Sequence, residues 1–296
     1  MHFGITALEF GPLSKDLIAG GMASFTNFDT VKHIERMLEI DHISVLELSF
    51  DVLHIIPNAF SDQVLDRLVR MKDELGISYT IHLPLWSIEL ATFNEPVRKG
   101  GVESIVNSIN VAEPLEPEAY VLHTTGALAT EFSKLTFSPN IVNIICTLMS
   151  SFAATSVEEI LAQTNIDSRK LAIENLEFPF DITRSVVDEY DTGICFDTGH
   201  LLAQMCGTES VIEFYHKHKD RIIELHLHDG SAMKTDVGSG FIDHRALGTQ
   251  DLPVREFLKE LMHDRFDGPI IFELTADEAR QSLDHIKQVV PEAIDS

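Results

Sequence analysis

Apolar and polar positions along this chain follow two different periods. Eight short runs are apolar and rich in β-branched residues: "HFGITAL" (2–8), "SVLELSF" (44–50), "SYTIHLPL" (78–85), "AYVLHTTG" (119–126), "KLAIENLE" (170–177), "TGICFDTG" (192–199), "IIELHLHD" (222–229) and "PIIFEL" (269–274). Runs of this length and composition predict strands. Between them apolar residues recur every three or four positions, the period of a helix. "FDTVKHIERMLEI" sets Val31, Ile34, Met37 and Leu38 on one face. "SDQVLDRLVRMKDELG" opens on Ser61 or Asp62 as an N-cap and stops at Gly76. "DLPVREFLKELMHDRF" has Asp251 ahead of Pro253, then Val254, Phe257, Leu258 and Leu261. The stretch 139–164 is long enough for one helix or a broken pair.

This alternation predicts an α/β fold. Eight strands in 296 residues leave about 37 residues per strand–helix unit, which fits a closed (β/α)8 TIM barrel spanning 1–296 as a single domain. An open, doubly wound sheet is the alternative. No G-x-G-x-x-G follows the first strand, so a dinucleotide-binding fold gains no support.

The chain is 44% apolar and 23% charged, a soluble globular composition. No unbroken apolar stretch reaches the roughly 18 residues of a membrane span, so no membrane partner is expected. "MHFGITALEF" lacks the basic region and long apolar core of a signal peptide and reads as a first strand. Cys146, Cys195 and Cys206 are odd in number and contain no C-x-x-C pair, which predicts reduced, buried thiols in a cytoplasmic protein. The net charge is −25, from 22 basic and 47 acidic residues. Such a field repels nucleic acid, and no Lys/Arg-rich run offsets it, so no nucleic-acid partner is expected. The sequence leaves a monomer and a homo-oligomer equally open.

The ionisable residues of the strands gather at their C-terminal ends: Glu47, His82, His123, Glu174, Asp197, His226 with His228, and Glu273. Side chains alternate between strand faces, so Glu224, His226 and His228 share one face, as do Ala172 and Glu174. A barrel would bring these ends onto one rim, where active sites form. Several carboxylates and imidazoles packed together raise each other's desolvation and repulsion costs, and a divalent cation relieves both. Imidazole nitrogen with carboxylate oxygen suits Zn²⁺, Mn²⁺, Fe²⁺ or Co²⁺, with Zn or Mn the leading expectation. No thiolate set supports a Cys-rich zinc site. His216 and His218 form an H-x-H pair in a helix, where i and i+2 diverge, and are expected at the surface. Glu177 fits either the site or the start of a loop. The loop 9–28 fits a lid or an ordinary packed loop, and Trp86 fits a substrate-ring contact or barrel packing.

In order, "IHLP", "VLHTTG", "AIEN", "FDTGH", "HLHDG", "GSGFIDHRALG" and "IFEL" make nearly the whole chain resemble the xylose-isomerase-like TIM-barrel superfamily. That superfamily includes endonuclease IV and many sugar isomerases and epimerases. The resemblance implies a core metal held by Glu174, Asp197, His226 and Glu273. His226 is preferred over His228 because it precedes Asp229 by three positions. The endonuclease IV-like members imply a second metal on His82 and His123, sharing Glu174. Their third metal would use His200 and His244, but Ile242 stands where an Asp is required and Asp243 is one residue out of register. One or two ions are therefore expected.

The resemblance implies a metal-dependent enzyme acting on a small molecule, with Glu174, Glu273 and His200 as catalytic candidates. Glu47, Trp86 and His228 are candidates for substrate contact. The extra imidazoles point to a hydrolase of a small phosphodiester or related ester, for which cobamide-remodelling phosphodiesterases are the superfamily precedent. The alternative is a one-metal sugar or sugar-phosphate isomerase or epimerase. A DNA-repair (AP) endonuclease and a metabolite-binding sensor rank lower.

Overall fold

The eight runs close into a parallel barrel in the order expected of a (β/α)8 fold. The structure, a computed structural model, describes residues 1–7, 28–56, 58–235 and 238–294. The loop 9–28, except Phe28, lies outside the described residues. Seven strands lead: β1 (His2–Thr6), β2 (Val45–Ser49), β3 (Ser78–His82), β4 (Tyr120–Leu122), β5 (Leu171–Glu174), β6 (Gly193–Asp197) and β7 (Ile222–His226). A two-stranded antiparallel hairpin follows, β8 (Asp229–Thr235) and β9 (Gly238–Arg245). The last strand, β10 (Pro269–Phe272), pairs with both β7 and β1 and closes the barrel.

Strand parity decides what faces where. One set, including Phe3, Ile5, Leu46, Leu48, Tyr79, Ile81, Phe196, Leu225 and Phe272, is buried in the main apolar core. Each such side chain contributes about 1.5–3 kcal/mol by leaving water. The other set begins with a small separate cluster of Ala119, Val121, Ala172 and Cys195. Two residues further along those strands stand His123, Glu174 and Asp197. The same parity that packs small residues low in the barrel thus delivers the polar ones to its rim. Register sets Asp197 directly beside His226.

The helices among the described residues are α1 (Thr30–Met37), α2 (Val52–Ile55), α3 (Asp62–Leu75), α4 (Glu95–Ala112), α5 (Ala127–Ser133), α6 (Pro139–Gln163), α7 (Phe180–Tyr190), α8 (Thr198–Leu202), α9 (Val211–His218), α10 (Val254–Asp264) and α11 (Ala276–Val289). Asp29 caps α1 by accepting from Lys32 N, and Ile34 and Met37 face the core. Helix α3 ends on Gly76, whose φ of 66° is the left-handed conformation that glycine adopts freely. Helix α10 buries Val254, Phe257, Leu258 and Leu261, the expected face.

Three sequence expectations need refinement. The stretch 139–164 is one unbroken helix, α6, of 25 residues. The sequence shows no continuous apolar run of spanning length, yet by length and composition α6 reaches what a membrane span requires. Here it packs against α4, α5 and α7. The H-x-H pair divides: His216 is exposed, but His218 is buried against Phe180 and Phe214. Residues two apart on a helix point in different directions, so one of the pair meets the core. The three cysteines are buried and unpaired, as expected.

Candidate metal centre

Four donors from four adjacent strands meet at the C-terminal rim. His226 Nδ1 lies 3.7 Å from Glu174 Oε1, 3.7 Å from Asp197 Oδ2 and 3.2 Å from Glu273 Oε2. Atoms sharing one ion at about 2.1 Å stand roughly 3.0–3.4 Å apart, close to these separations. His226 Nδ1 is fully buried and makes no hydrogen bond, although three carboxylates surround it. A buried polar nitrogen without a partner is costly. Its opposite nitrogen, Nε2, sits 3.0 Å from Glu47 Oε2, and Thr6 donates to the other oxygen of Glu47 at 2.8 Å. That carboxylate fixes the tautomer that leaves Nδ1 for a cation. The donor set therefore fits a divalent metal.

Two further groups adjoin this core. His82 Nε2 and His123 Nε2 stand 3.5 Å and 2.9 Å from Glu174 Oε2. His82 Nδ1 is occupied by Leu83 O at 3.0 Å, which again turns Nε2 toward the centre. On the other side are His200, Asp243 and His244. His200 Nδ1 meets Asn175 O at 3.1 Å, and its Nε2 stands 3.5 Å from Asp243 Oδ2. His244 reaches Asp243 through Nδ1 at 3.2 Å and Glu273 through Nε2 at 3.4 Å.

The hairpin explains how an out-of-register Asp243 arrives there. Its pairing shifts between Asp229 and Ser231, and His244 adopts a positive φ of 50°. The irregularity lets two consecutive residues, Asp243 and His244, both face the site. The hairpin's base is pinned by Asp229, whose buried carboxylate accepts from the backbone N–H groups of Gly230, Thr249, Gln250 and Leu252 at 2.8–3.0 Å. Sequence reasoning missed this role for Asp229 and the membership of Asp243. An irregular hairpin leaves no periodic signal.

Two candidates for substrate contact stand elsewhere than expected. Glu47 and His228 are both fully buried, and neither lines the cleft described below. Glu47 backs His226. His228 Nε2 is 2.8 Å from Asp197 Oδ2, and its Nδ1 is 3.3 Å from Asp243 Oδ1 without hydrogen-bond geometry. It links the core to the hairpin group. Gly199 makes the room: a Cβ there would overlap both Asp243 and the His228 ring. Asn175, from the "AIEN" segment, holds Asp197 in place, accepting from its backbone N at 2.7 Å and donating to its carbonyl at 2.9 Å. Asp197 itself caps α8 by accepting from His200 N at 2.7 Å.

Burial and charge pull in opposite directions across the site. Burial opposes ionisation of Asp197, yet His200 and His228 outweigh it and hold the carboxyl at about 2. Against burial, His123 and then His226 pull Glu174 well below the usual range, and His226 does the same to Glu273. Burial lowers the imidazoles, but the surrounding carboxylates push His82 up to about 9 and His200 up to about 10. In the metal-free chain, protons thus supply the positive charge that the carboxylates demand. Beneath the site, burial and the Glu47 carboxylate drive Glu224 well above the normal range, and neither of its oxygens has a hydrogen-bond partner.

A cleft of about 900 Å³ opens over His123, His200 and His244. Leu85, Trp86, Ile88, Leu176, Met205 and Phe241 give it apolar walls. Glu177 lines it too, held at 2.6 Å by Lys134. Among the described lining residues Arg245 is the sole Lys or Arg.

Comparison with known proteins agrees with this architecture. Uncharacterized protein MJ1311 of Methanocaldococcus jannaschii is 27% identical over 247 residues, covering 77% of this chain and 76% of that protein. A D-tagatose 3-epimerase-like protein superposes with a TM-score of 0.70 at 20% identity, over 100% of this chain and 99% of the other. Endonuclease IV from Thermus thermophilus superposes with a TM-score of 0.65 at 15% identity, over 99% and 100%. At these identities the two superpositions show a shared fold. The model of the xylose isomerase-like TIM barrel family matches residues 43–289, and the chain belongs to that family.

Proposed function

We propose that this chain is a divalent-metal-dependent isomerase or epimerase of a small, uncharged polyhydroxy carbonyl compound. The observation that carries this reading is the pairing of Glu174 and Glu273. They rise from β5 and at the end of β10, flanking β6 and β7, and converge on the same His226 nitrogen at 3.7 and 3.2 Å. Both are held ionised, the state required to accept a proton. Glu273 is the more open of the two, with 16% of its side chain exposed, and would take the proton from the carbon beside the carbonyl. Glu174 would return or receive it on the other side. A bound divalent metal would polarise the carbonyl and hold adjacent substrate oxygens. His200, fixed through Nδ1, would present Nε2 to a substrate hydroxyl, and Trp86 and Phe241 would cover the apolar face of a sugar ring. A single Arg among the described residues of the cleft and a net charge of −25 favour an uncharged substrate. The D-tagatose 3-epimerase-like neighbour supports the same class.

One observation favours a second reading, hydrolysis of a small phosphodiester. The groups His82–His123–Glu174 and His200–Asp243–His244 lie either side of the core, and a one-metal isomerisation has no need of both. Purified enzyme loaded with Mn²⁺ or Zn²⁺ separates the two. The first reading predicts solvent deuterium exchange at the carbon next to the carbonyl of a ketose, followed by NMR, and no release of p-nitrophenol from bis-p-nitrophenyl phosphate. Ester cleavage without exchange would replace it with the second.

A further inference from the structure

We propose that the outer face of α6 is where two copies of this chain meet. The helix is longer than the barrel needs. Its second half docks on the segment leading into α4 and on that helix's first turn: Ser156 donates to Leu90 O at 2.8 Å, and Arg98 pairs with Glu159 at 2.7 Å. The sixteen or so residues ahead of that contact carry the helix about 25 Å further, past the start of α4. There its inner face packs with α5 and the rim segments, through Ala129, Cys146, Met149, Ala153, Ala91 and Phe178. Its outer face is exposed.

That outer face is apolar. Phe137, Ile141, Ile144 and Leu148 are 58%, 48%, 66% and 55% exposed. Spacings of three and four place Ile141, Ile144 and Leu148 in one stripe on the helix, the pattern by which one helix packs along another, and Phe137 stands in the bend just ahead of it. Together they expose roughly 400 Å² of apolar side chain, as large a patch as a monomer normally leaves in water.

Charge selects the occupant. No Asp, Glu, Lys, Arg or His occurs from Leu135 to Val157, in a chain that is 23% charged. Two copies, each at −25, repel across most of their surfaces. Here they can touch without bringing like charges together or burying an unpaired one. A stripe on a single helix is also self-complementary about a two-fold axis, each copy's Ile144 fitting beside its mate's. A charged partner would find nothing on this face to pair with. The stripe supplies about half of the roughly 800 Å² per partner in a standard interface, and Leu135, Asn140, Asn143, Thr147 and Ser151 surround it as a largely polar margin. The expected dimer is reversible. It would also stiffen α5, whose Ala127 and Thr130 line the cleft.

Analytical ultracentrifugation over a range of concentrations tests this. The wild-type chain should show a concentration-dependent monomer–dimer equilibrium. Ile144→Glu should shift it toward monomer by at least about tenfold in dissociation constant, with an unchanged circular dichroism spectrum. In parallel, Asn143→Cys, near the middle of the stripe, should form a disulfide-linked dimer under mild oxidation. A wild type that stays monomeric at its highest soluble concentration would overturn the proposal. So would a dimer indifferent to Ile144→Glu and not cross-linked by the Asn143→Cys variant. A monomer that instead co-floats with neutral phosphatidylcholine vesicles would assign the stripe to a membrane surface and equally overturn it.

Discussion

His228 joins two carboxylates that belong to different parts of the fold: Asp197 at the end of β6, 2.8 Å away, and Asp243 on the hairpin, 3.3 Å away. The imidazole is fully buried and outside the cleft, and it also stands within ligating reach of His244 and Glu273. Replacing it with Ala removes the hydrogen bond to Asp197 and the imidazole beside Asp243. His228→Ala should weaken metal binding by about 10–100-fold, the usual effect of losing an outer-shell partner. Isothermal titration with Mn²⁺ or Zn²⁺ reads this directly. Unchanged affinity would show that His228 only fills space.

Gly199 lies beside the same pair. A methyl group there would press on Asp243 and His228, while His82, His123 and Glu174 lie on the far side of the core. Gly199→Ala should therefore reduce occupancy at the His200–Asp243–His244 group and leave the His82–His123 group intact. Metal titration with cobalt absorbance as the readout should show weaker binding than in the wild type.

The imidazole shifts give metal binding a definite pH dependence. A proton and a metal compete for the same nitrogen. With His82 pushed up to about 9 and His200 up to about 10, the metal-free chain still carries those protons at neutral pH. Apparent metal affinity should rise steadily from pH 6 to pH 9, with proton release measured as a buffer-dependent binding enthalpy. The sign for stability is the opposite. Groups whose folded values lie above their unfolded ones stabilise fully below about 6.5, and that contribution is lost as pH rises through 9 and 10. Urea denaturation of chelator-treated protein should show lower stability at pH 10 than at pH 7, and added metal should reverse the trend. A flat profile would contradict the account.

His218 provides an acid-side counterpart remote from the centre. Burial and the nearby Arg184 lower it to about 4, so it stays neutral at pH 7. Its contribution is present above about 6.5 and lost as pH falls toward 4, on the order of 2–3 kcal/mol. His218→Phe should flatten the loss of stability between pH 6.5 and pH 4, measured by thermal unfolding.

The sequence and the structure agree where a local period carries the information. All eight strands were legible because short β-branched runs have few other folds open to them, and parity marked Glu174, Asp197 and His226 as neighbours on a rim. What parity cannot do is rank His226 against His228, since both lie on the same face. Only the partners tell them apart: three carboxylates around one Nδ1, two carboxylates bridged by the other ring. Asp243 was obscured because a hairpin irregularity, not a repeat, sets its direction. His218 was misplaced because nothing local says which member of an H-x-H pair turns inward. The surplus length of α6 was visible, but which of its faces is covered depends on α4 and α5.

The central claim is that the strand-end donors hold a divalent metal. Elemental analysis by inductively coupled plasma mass spectrometry, on protein purified without chelator and passed through gel filtration, tests it most directly. The account predicts at least one transition-metal ion per chain, and its loss in Asp197→Ala with the circular dichroism spectrum preserved. Wild-type protein that carries no metal and takes up neither Mn²⁺ nor Zn²⁺ on titration would contradict it.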